Sequence, residues 1–416
     1  MNVHDYTERT IITTWQISFD EIARRNTGAA KLLQLWGYFD NHDLWYELLR
    51  WDCYQEAIPS WLQTITSTEI SFMNTIDLLL EYSMIEQNSK INSYSMHAVV
   101  HDWIRESINK TNNKELLETA TTTLGLAAPS RVTRHFVTIE RRLLPHVTRW
   151  SKYSSQVDKS SETVDLKAYL AGLNGIGVLY SRQQKLAQAQ EILQRALSGS
   201  ENFKSDNEVA FDIVNNLGNL YENQGKLAKA EEMYQRALAG REKAFGSDHP
   251  KTLKIVNNLG VLYNKQGNLP EAEKMYQRAL AGCEKAFGLD HPAAFDIINN
   301  LGVLYNEQGK LAEAEKMYQR VLAGREKAFG LDHPAAFDII NNLGVLYKYQ
   351  GKLAEAEEMY QRAMKGYKEV FDDGHPKLER VRRNMSALQD LKGIETFFPS
   401  NLSFLFITNY LISTVI

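Results

Sequence analysis

The string NNLGxLY begins at Asn215, Asn257, Asn299 and Asn341, each start 42 residues after the last. His-Pro pairs at 249/250, 291/292, 333/334 and 375/376 keep the same step. A fixed period of this length means one supersecondary unit copied and stacked, because a single unit has too little of its own surface to close a core. The second and third units, residues 257–298 and 299–340, differ at only five positions: Lys265/Glu307, Asn268/Lys310, Pro270/Ala312, Ala279/Val321 and Cys283/Arg325.

Within a unit, Ile298, Leu301, Gly302 and Tyr305, then Leu311, Ala314, Tyr318 and Val321, fall at three- and four-residue steps, which predicts helix. Gly309 interrupts the pattern between the two stretches, where the lack of a Cβ permits a tight turn. Each unit is therefore expected to be a helical hairpin. Gly302 and Ala314 let its two helices approach closely, and the tyrosines supply surface to bury between neighbouring hairpins.

These residues resemble the tetratricopeptide repeat, in which an apolar residue, Leu-Gly, Tyr, Gly, Ala and an aromatic recur at fixed offsets. The closing Pro arrives eight residues later than in the 34-residue form, after an insert of the type GREKAFGLDHP. That spacing is similar to the 42-residue repeats of kinesin light chains and of many fungal and bacterial receptor-like proteins. The insert should lengthen the second helix by about two turns. The resemblance implies a right-handed α-solenoid over residues 166–393, of about five repeats plus a capping helix. The first repeat, around Gly175–Tyr180, is degenerate and offset by 41 residues from the next.

In this family the first helix of each hairpin lines the concave side, where partner peptides sit. The resemblance places there Asn215, Asn216, Asn257, Asn258, Asn299, Asn300, Asn341 and Asn342, together with Asp212, Lys254, Asp296 and Asp338. An amide both donates and accepts, so a ladder of them suits the backbone of an extended peptide. The same ladder also suits bonds between neighbouring repeats, and the pattern leaves both roles open. Relatives that hold a terminal carboxylate use Lys and Arg where the first Asn stands here, which disfavours that specialised role. His249, His291, His333 and His375 occur once per hairpin, too far apart to share a metal ion, and read as turn or capping residues.

Residues 1–112 lack the period. Segments 15–25, 29–39 and 69–82 read as amphipathic helices, 83–86 and 94–97 as a short hairpin, and 98–109 as helix again. WQISFDEI, the leucine-rich helices and MHAVVHDWIRE resemble the winged-helix-like part that follows the nucleotide-binding core of NB-ARC signalling NTPases. Fungal members of that class commonly continue into 42-residue repeats. The resemblance implies the sensor part of an NLR-like receptor, with His97 a relic of the phosphate-contacting Met-His-Asp; Ala98 replaces its acid. No G-x-x-x-x-G-K-[ST] string occurs, so the nucleotide-binding core would be missing or separate and no nucleotide or other cofactor is assigned. A kinesin-light-chain-like cargo adaptor is the alternative, although no sustained heptads precede Leu166.

Residues 1–112 hold 8 Lys/Arg against 15 Asp/Glu, which argues against a DNA-binding winged helix. Residues 113–165 read as a helical connector. Residues 394–416 form a hydrophobic tail, uncharged from Thr396 onward and of nearly membrane-spanning length, but Pro399, two Asn and three Ser argue against an anchor. Packing on the last cap and sequence foreign to the protein are the other readings of this tail. Cys53 and Cys283 form no disulfide or zinc spacing, and the polar opening MNVHDYTERT is unlike a secretory signal, so a cytoplasmic setting is expected. With no GxSxG, HExxH or other catalytic pattern, no catalytic or metal residues are assigned, and the chain reads as a protein-binding scaffold rather than an enzyme.

Overall fold

The computed structural model describes residues 3–51, 53–111, 113–129, 136–156, 164–201, 208–330, 333–371 and 373–397. The tail beyond Phe397, for which an anchor, a packed segment and foreign sequence were weighed above, lies outside them. The chain divides into two compact units, Met1–Met233 and Tyr234–Ile416.

The first unit opens with α1 (Val3–Arg25), α2 (Thr27–Trp36), α3 (Ser60–Thr66) and α4 (Glu69–Glu81). Asn26 caps α2 by accepting the Ala29 N–H, and Thr68 caps α4 by accepting that of Ser71. An antiparallel pair follows, β1 (Glu86–Asn88) with β2 (Ser93–Ser95), and then α5 (Ala98–Thr111). Both strands are shorter than the expected 83–86 and 94–97; β1 starts three residues later and β2 one residue earlier. Ser83 turns left-handed at φ 53° and the Met84 N–H returns to the Leu79 carbonyl, so residues 83 and 84 terminate α4 instead of pairing. Trp36, Phe39, Leu49, Leu62, Ile76 and Leu79 fill the core here.

The connector contains α6 (Lys114–Leu126) and α7 (Phe136–Trp150). Here α6 lies against α8 (Leu166–Arg182) so closely that a Cβ on Gly125 would stand 1.7 Å from the Gly172 carbonyl oxygen. Four buried threonines, Thr119, Thr121, Thr122 and Thr123, line α6. Thr121 and Thr123 accept the indole N–H groups of Trp150 and Trp51 at 3.0 and 3.1 Å. Helix α7 grips the loop after α2. His146, fully buried, accepts the Asp40 N–H at Nδ1 and bonds the Asp43 carbonyl through Nε2, both at 3.1 Å. Arg142 holds the Asp43 carboxylate by two bonds, 2.7 and 2.9 Å, and lies over the Trp45 ring. Asp43 keeps a left-handed φ of 54°, a conformation that these three contacts over-determine. Helices α9 (Leu186–Ser200) and α10 (Glu208–Asn223) then continue the stack on α8.

After α11 (Leu227–Phe245), the second unit continues with hairpins built from α12 (Pro250–Lys265) and α13 (Leu269–Phe287), α14 (Pro292–Glu307) and α15 (Leu311–Phe329), and α16 (Pro334–Tyr349) and α17 (Leu353–Val370), closed by α18 (Pro376–Phe397). Their turns use Gly267, Gly309 and Gly351 at φ 77°, 73° and 76°, as the interruption of periodicity predicts. The 19-residue α13 and α15 take in only the first six residues of the insert, 282–287 and 324–329, and end at Gly288 and Gly330, which turn at φ 90° and 89°. Each hairpin buries the same set, in α14/α15 Leu301, Leu304, Ala314, Tyr318 and Val321, all at most 2% exposed. Burial of each large member contributes about 1.5–3 kcal/mol. The closing helix runs to Phe397, four residues past the expected end.

Candidate functional site

The first helices α12, α14 and α16 stand in sequence through the second unit, and their residue pattern decides what their common face presents. One side of each is apolar and packs inward: in α14, Phe295, Ile298, Leu301 and Leu304. The opposite stripe, at steps of three and four residues, is Asp296, Asn300, Val303 and Glu307. Its counterparts are Lys254, Asn258, Val261 and Lys265 on α12, and Asp338, Asn342, Val345 and Tyr349 on α16. All are exposed or half-buried.

The two asparagines of each pair take different roles. Asn257 and Asn341 are buried, and Asn299 is half-buried. The second Asn of the next hairpin donates to the first Asn of the one before: Asn300 to Asn257 at 3.0 Å, Asn342 to Asn299 at 3.0 Å, and Asn384 of α18 to Asn341 at 2.9 Å. In the first unit Asn216 donates to Asn174, at 2.9 Å, and Asn215 is buried. The ladder therefore joins neighbouring repeats through the oxygen of the first Asn. The second Asn keeps its edge on the accessible stripe.

Charges on the stripe are also partly engaged. Arg325, buried on α15, pairs with Asp296, whose side chain is 83% exposed. Asp338 accepts from Tyr367, Lys377 at 2.6 Å and Arg380 at 3.0 Å. Burial by itself would raise its carboxyl pKa, but the Lys377 charge and these hydrogen bonds hold it below the ordinary value. Asp212 lies half-buried on α10. Lys254 is exposed and, among the described residues, makes no ion pair.

Two further sets of contacts bind successive hairpins and escaped the sequence reading. Glu273 accepts Tyr305 Oη at 3.4 Å and Gln308 Nε2 at 3.2 Å and stands 3.6 Å from Lys310. Glu315 repeats this with Tyr347, Gln350 and Lys352. Arg278 pairs with Glu242, Arg320 with Glu284, and Arg362 with Glu326. Their signal was a set of polar positions spaced near 32 and 36 residues, shorter than the period, so a period search passes over them.

The repeated histidines lie at helix starts. His249, His291 and His375 each accept the N–H two residues on at Nδ1, at 3.2–3.3 Å. They and His333 pack on Phe245, Phe287, Phe371 and Phe329 respectively. Among the described residues no three His, Cys, Asp or Glu side chains gather as a metal set. His97 is exposed and accepts the Val99 N–H at the start of α5. Among the described residues no helix is long and apolar enough to cross a membrane.

A tetratricopeptide-repeat family model matches residues 209–285, 252–327, 293–369 and 336–393. Residues 20–113 match a domain of unknown function, DUF7779. No curated protein matches the chain. Among solved structures, BtubC (BKLC) from P. vanneervenii is 23% identical, with a TM-score of 0.44 over 57% of this chain and 91% of its own. The nearly identical TPR-like repeats of a kinesin light chain-like protein from Podosopora anserina are 20% identical, with a TM-score of 0.41 over 50% of this chain and 100% of their own. Aspartyl phosphate phosphatase F from Bacillus subtilis is 13% identical, with a TM-score of 0.43 over 77% of this chain and 81% of its own.

Proposed function

Residues 209–393 are tetratricopeptide repeats, a scaffold for protein–protein interaction, and from that premise we propose that the first-helix face holds an extended peptide segment of a partner protein. The observation that carries this reading is the stripe itself. In three successive hairpins an amide and a valine, Asn258/Val261, Asn300/Val303 and Asn342/Val345, stand accessible in one register. The amides suit a peptide backbone and the half-buried valines suit its apolar side chains. Lys254, Asp296 and Asp338 border the row. In the first unit, Asp212, Asn215 and Asn216 occupy the same repeat positions on α10. The buried first asparagines Asn257 and Asn341 support the second unit's wall from behind.

The finer reading is that the chain is the sensor part of an NB-ARC, NLR-like receptor. In it, residues 1–112 form the winged-helix-like part, 113–165 the connector and 166–393 the solenoid, and the nucleotide-binding core is carried elsewhere. The succession of four helices, a hairpin and a helix supports it, as does the accessible His97 at the start of α5.

Selection of binders from a displayed peptide library tests the groove. Val261→Arg and Val303→Arg should each abolish capture, while Lys316→Glu, on an exposed part of α15 away from the stripe, should leave it intact. Retained capture by both valine variants would sink the groove reading.

A further inference from the structure

The outer face of α7 carries a cavity that neither the core nor the repeats account for. Along this helix Leu143, His146, Val147 and Trp150 are buried. Arg141, Leu144, Pro145 and Arg149, with Lys152 in the 3₁₀ turn Ser151–Gln156 that follows, fall at the complementary three- and four-residue steps. They line an open cavity of about 600 Å³, to which Asp40 contributes a wall from the loop after α2. That volume is in the ordinary range for a binding site.

The charges of the lining are unequally satisfied. Asp40 accepts the His42 N–H at 3.1 Å and stands 3.3 Å from the Nδ1 of its ring. Arg149 and Lys152 make no ion pair or hydrogen bond among the described residues. Arg149 is half-buried, so water screens its charge only in part. A basic pair on a helix ordinarily does no more than face solvent. Here the pair shares a cavity with the apolar surface of the half-buried Leu144 and the exposed Pro145. The walls are also fixed against one another. From the inner side of α7, His146 bonds the Asp40 N–H and the Asp43 carbonyl, and Arg142 holds the Asp43 carboxylate. A ligand therefore meets a preformed site, which lowers the ordering cost of binding.

We propose that this cavity docks an acidic segment of a partner protein, with a carboxylate between Arg149 and Lys152 and an apolar side chain on Leu144 and Pro145. The site is separate from the face of the repeats and does not rest on the reading of that face. Residues three apart on a helix have Cβ atoms about 5–6 Å apart, so two long basic side chains reach one carboxylate. Leu144 and Pro145 lie about six residues before the middle of that pair, about 9 Å along the axis, which an extended peptide covers in about three residues. Nucleic acid fits less well. Residues 1–112, to which the Asp40 wall belongs, hold 8 Lys/Arg against 15 Asp/Glu and would repel a phosphate backbone. Among the described residues that line the cavity there is no aromatic ring to stack a base.

Fluorescence anisotropy with the full chain is the test. The probe is a labelled peptide of about nine residues, in which a pair of glutamates and a leucine stand about three positions apart among serines and glycines. The same peptide with glutamine for glutamate should bind about tenfold more weakly, and the gap should close in about 1 M NaCl, where exposed ion pairs are screened. Arg149→Gln/Lys152→Gln should erase the preference for glutamate while helicity and the tryptophan emission spectrum are unchanged. Leu144→Glu keeps both bases and sets a like charge against the ligand, so it should also weaken the glutamate peptide about tenfold. Equal affinity for the two peptides, binding of neither up to about 1 mM protein, or an undiminished glutamate preference in the double variant overturns the proposal. Tighter binding of a labelled thymidine oligonucleotide through the same two bases also overturns it, and would assign the cavity to nucleic acid.

Discussion

Acid should loosen the first unit before the repeats, and His146 sets the size of the effect. Complete burial pushes its pKa from 6.5 down to about 4, against the smaller opposing pull of Asp40 and Asp43 and with some help from Arg142. Between those values the unfolded chain binds a proton that the native imidazole refuses. Stability is therefore full above about pH 6.5 and falls as the pH drops towards 4. At ~1.4 kcal/mol per pKa unit, the loss from this one group is about 3 kcal/mol. His101, buried with Nε2 on the Phe39 carbonyl, is also lowered by burial and adds in the same sense. The assay is selective because all seven tryptophans, from Trp15 to Trp150, lie in the first unit, so tryptophan fluorescence follows its urea unfolding alone. Carboxylates titrate in the same range, so the quantity of interest is the difference in slope between the protein and His146→Asn. That variant should lose less stability between pH 7 and 4 by about 3 kcal/mol. Parallel pH profiles for the two proteins would refute the argument that the buried imidazole is held neutral.

Asn342→Leu should leave the Asn299 oxygen without its inter-repeat donor, and a half-buried orphan acceptor costs about 1–3 kcal/mol; circular dichroism during urea unfolding would measure it, and an unchanged midpoint would mean the ladder is idle. Gly125→Ala places a Cβ onto the Gly172 carbonyl, so the α6–α8 contact must open, with an expected loss of about 1–3 kcal/mol despite alanine's better helix propensity; thermal unfolding followed by tryptophan fluorescence checks it. Asp296→Lys alone should destabilise the second unit by leaving Arg325 against a like charge, and adding Arg325→Cys should restore most of the loss; additive effects of the two changes would contradict their coupling.

The helices of the repeats were legible because periodicity at three and four residues reports a face, and a fixed 42-residue step reports that every face meets a copy of itself. The capping histidines were legible for the same reason: a His-Pro pair at each junction has a local role, settled within two residues of chain. In the first unit the loop from Asp40 to Trp45 was not legible. It has no period, and its left-handed Asp43 is held by Arg142 and His146 from about a hundred residues away. The first strand of the small hairpin was misplaced by three residues at its start because the end of α4 is a backbone turn at Ser83, a conformation its side chain does not announce.

By itself, then, the sequence determined the element order, the unit length and the stripe on which Asn, Val and charge recur, all of which follow from local propensity and repetition. Only the tertiary structure decided that the first asparagine of each pair is turned into the stack while the second stays at the surface. It also decided that Arg325 answers Asp296 and that Lys254 is left without an ion-pairing partner among the described residues. Adjacent residues on a helix differ by about 100° in direction. Which of two asparagines is covered therefore depends on where the next hairpin, 42 residues on, lays its helix, and that is a property of packing rather than of the local text.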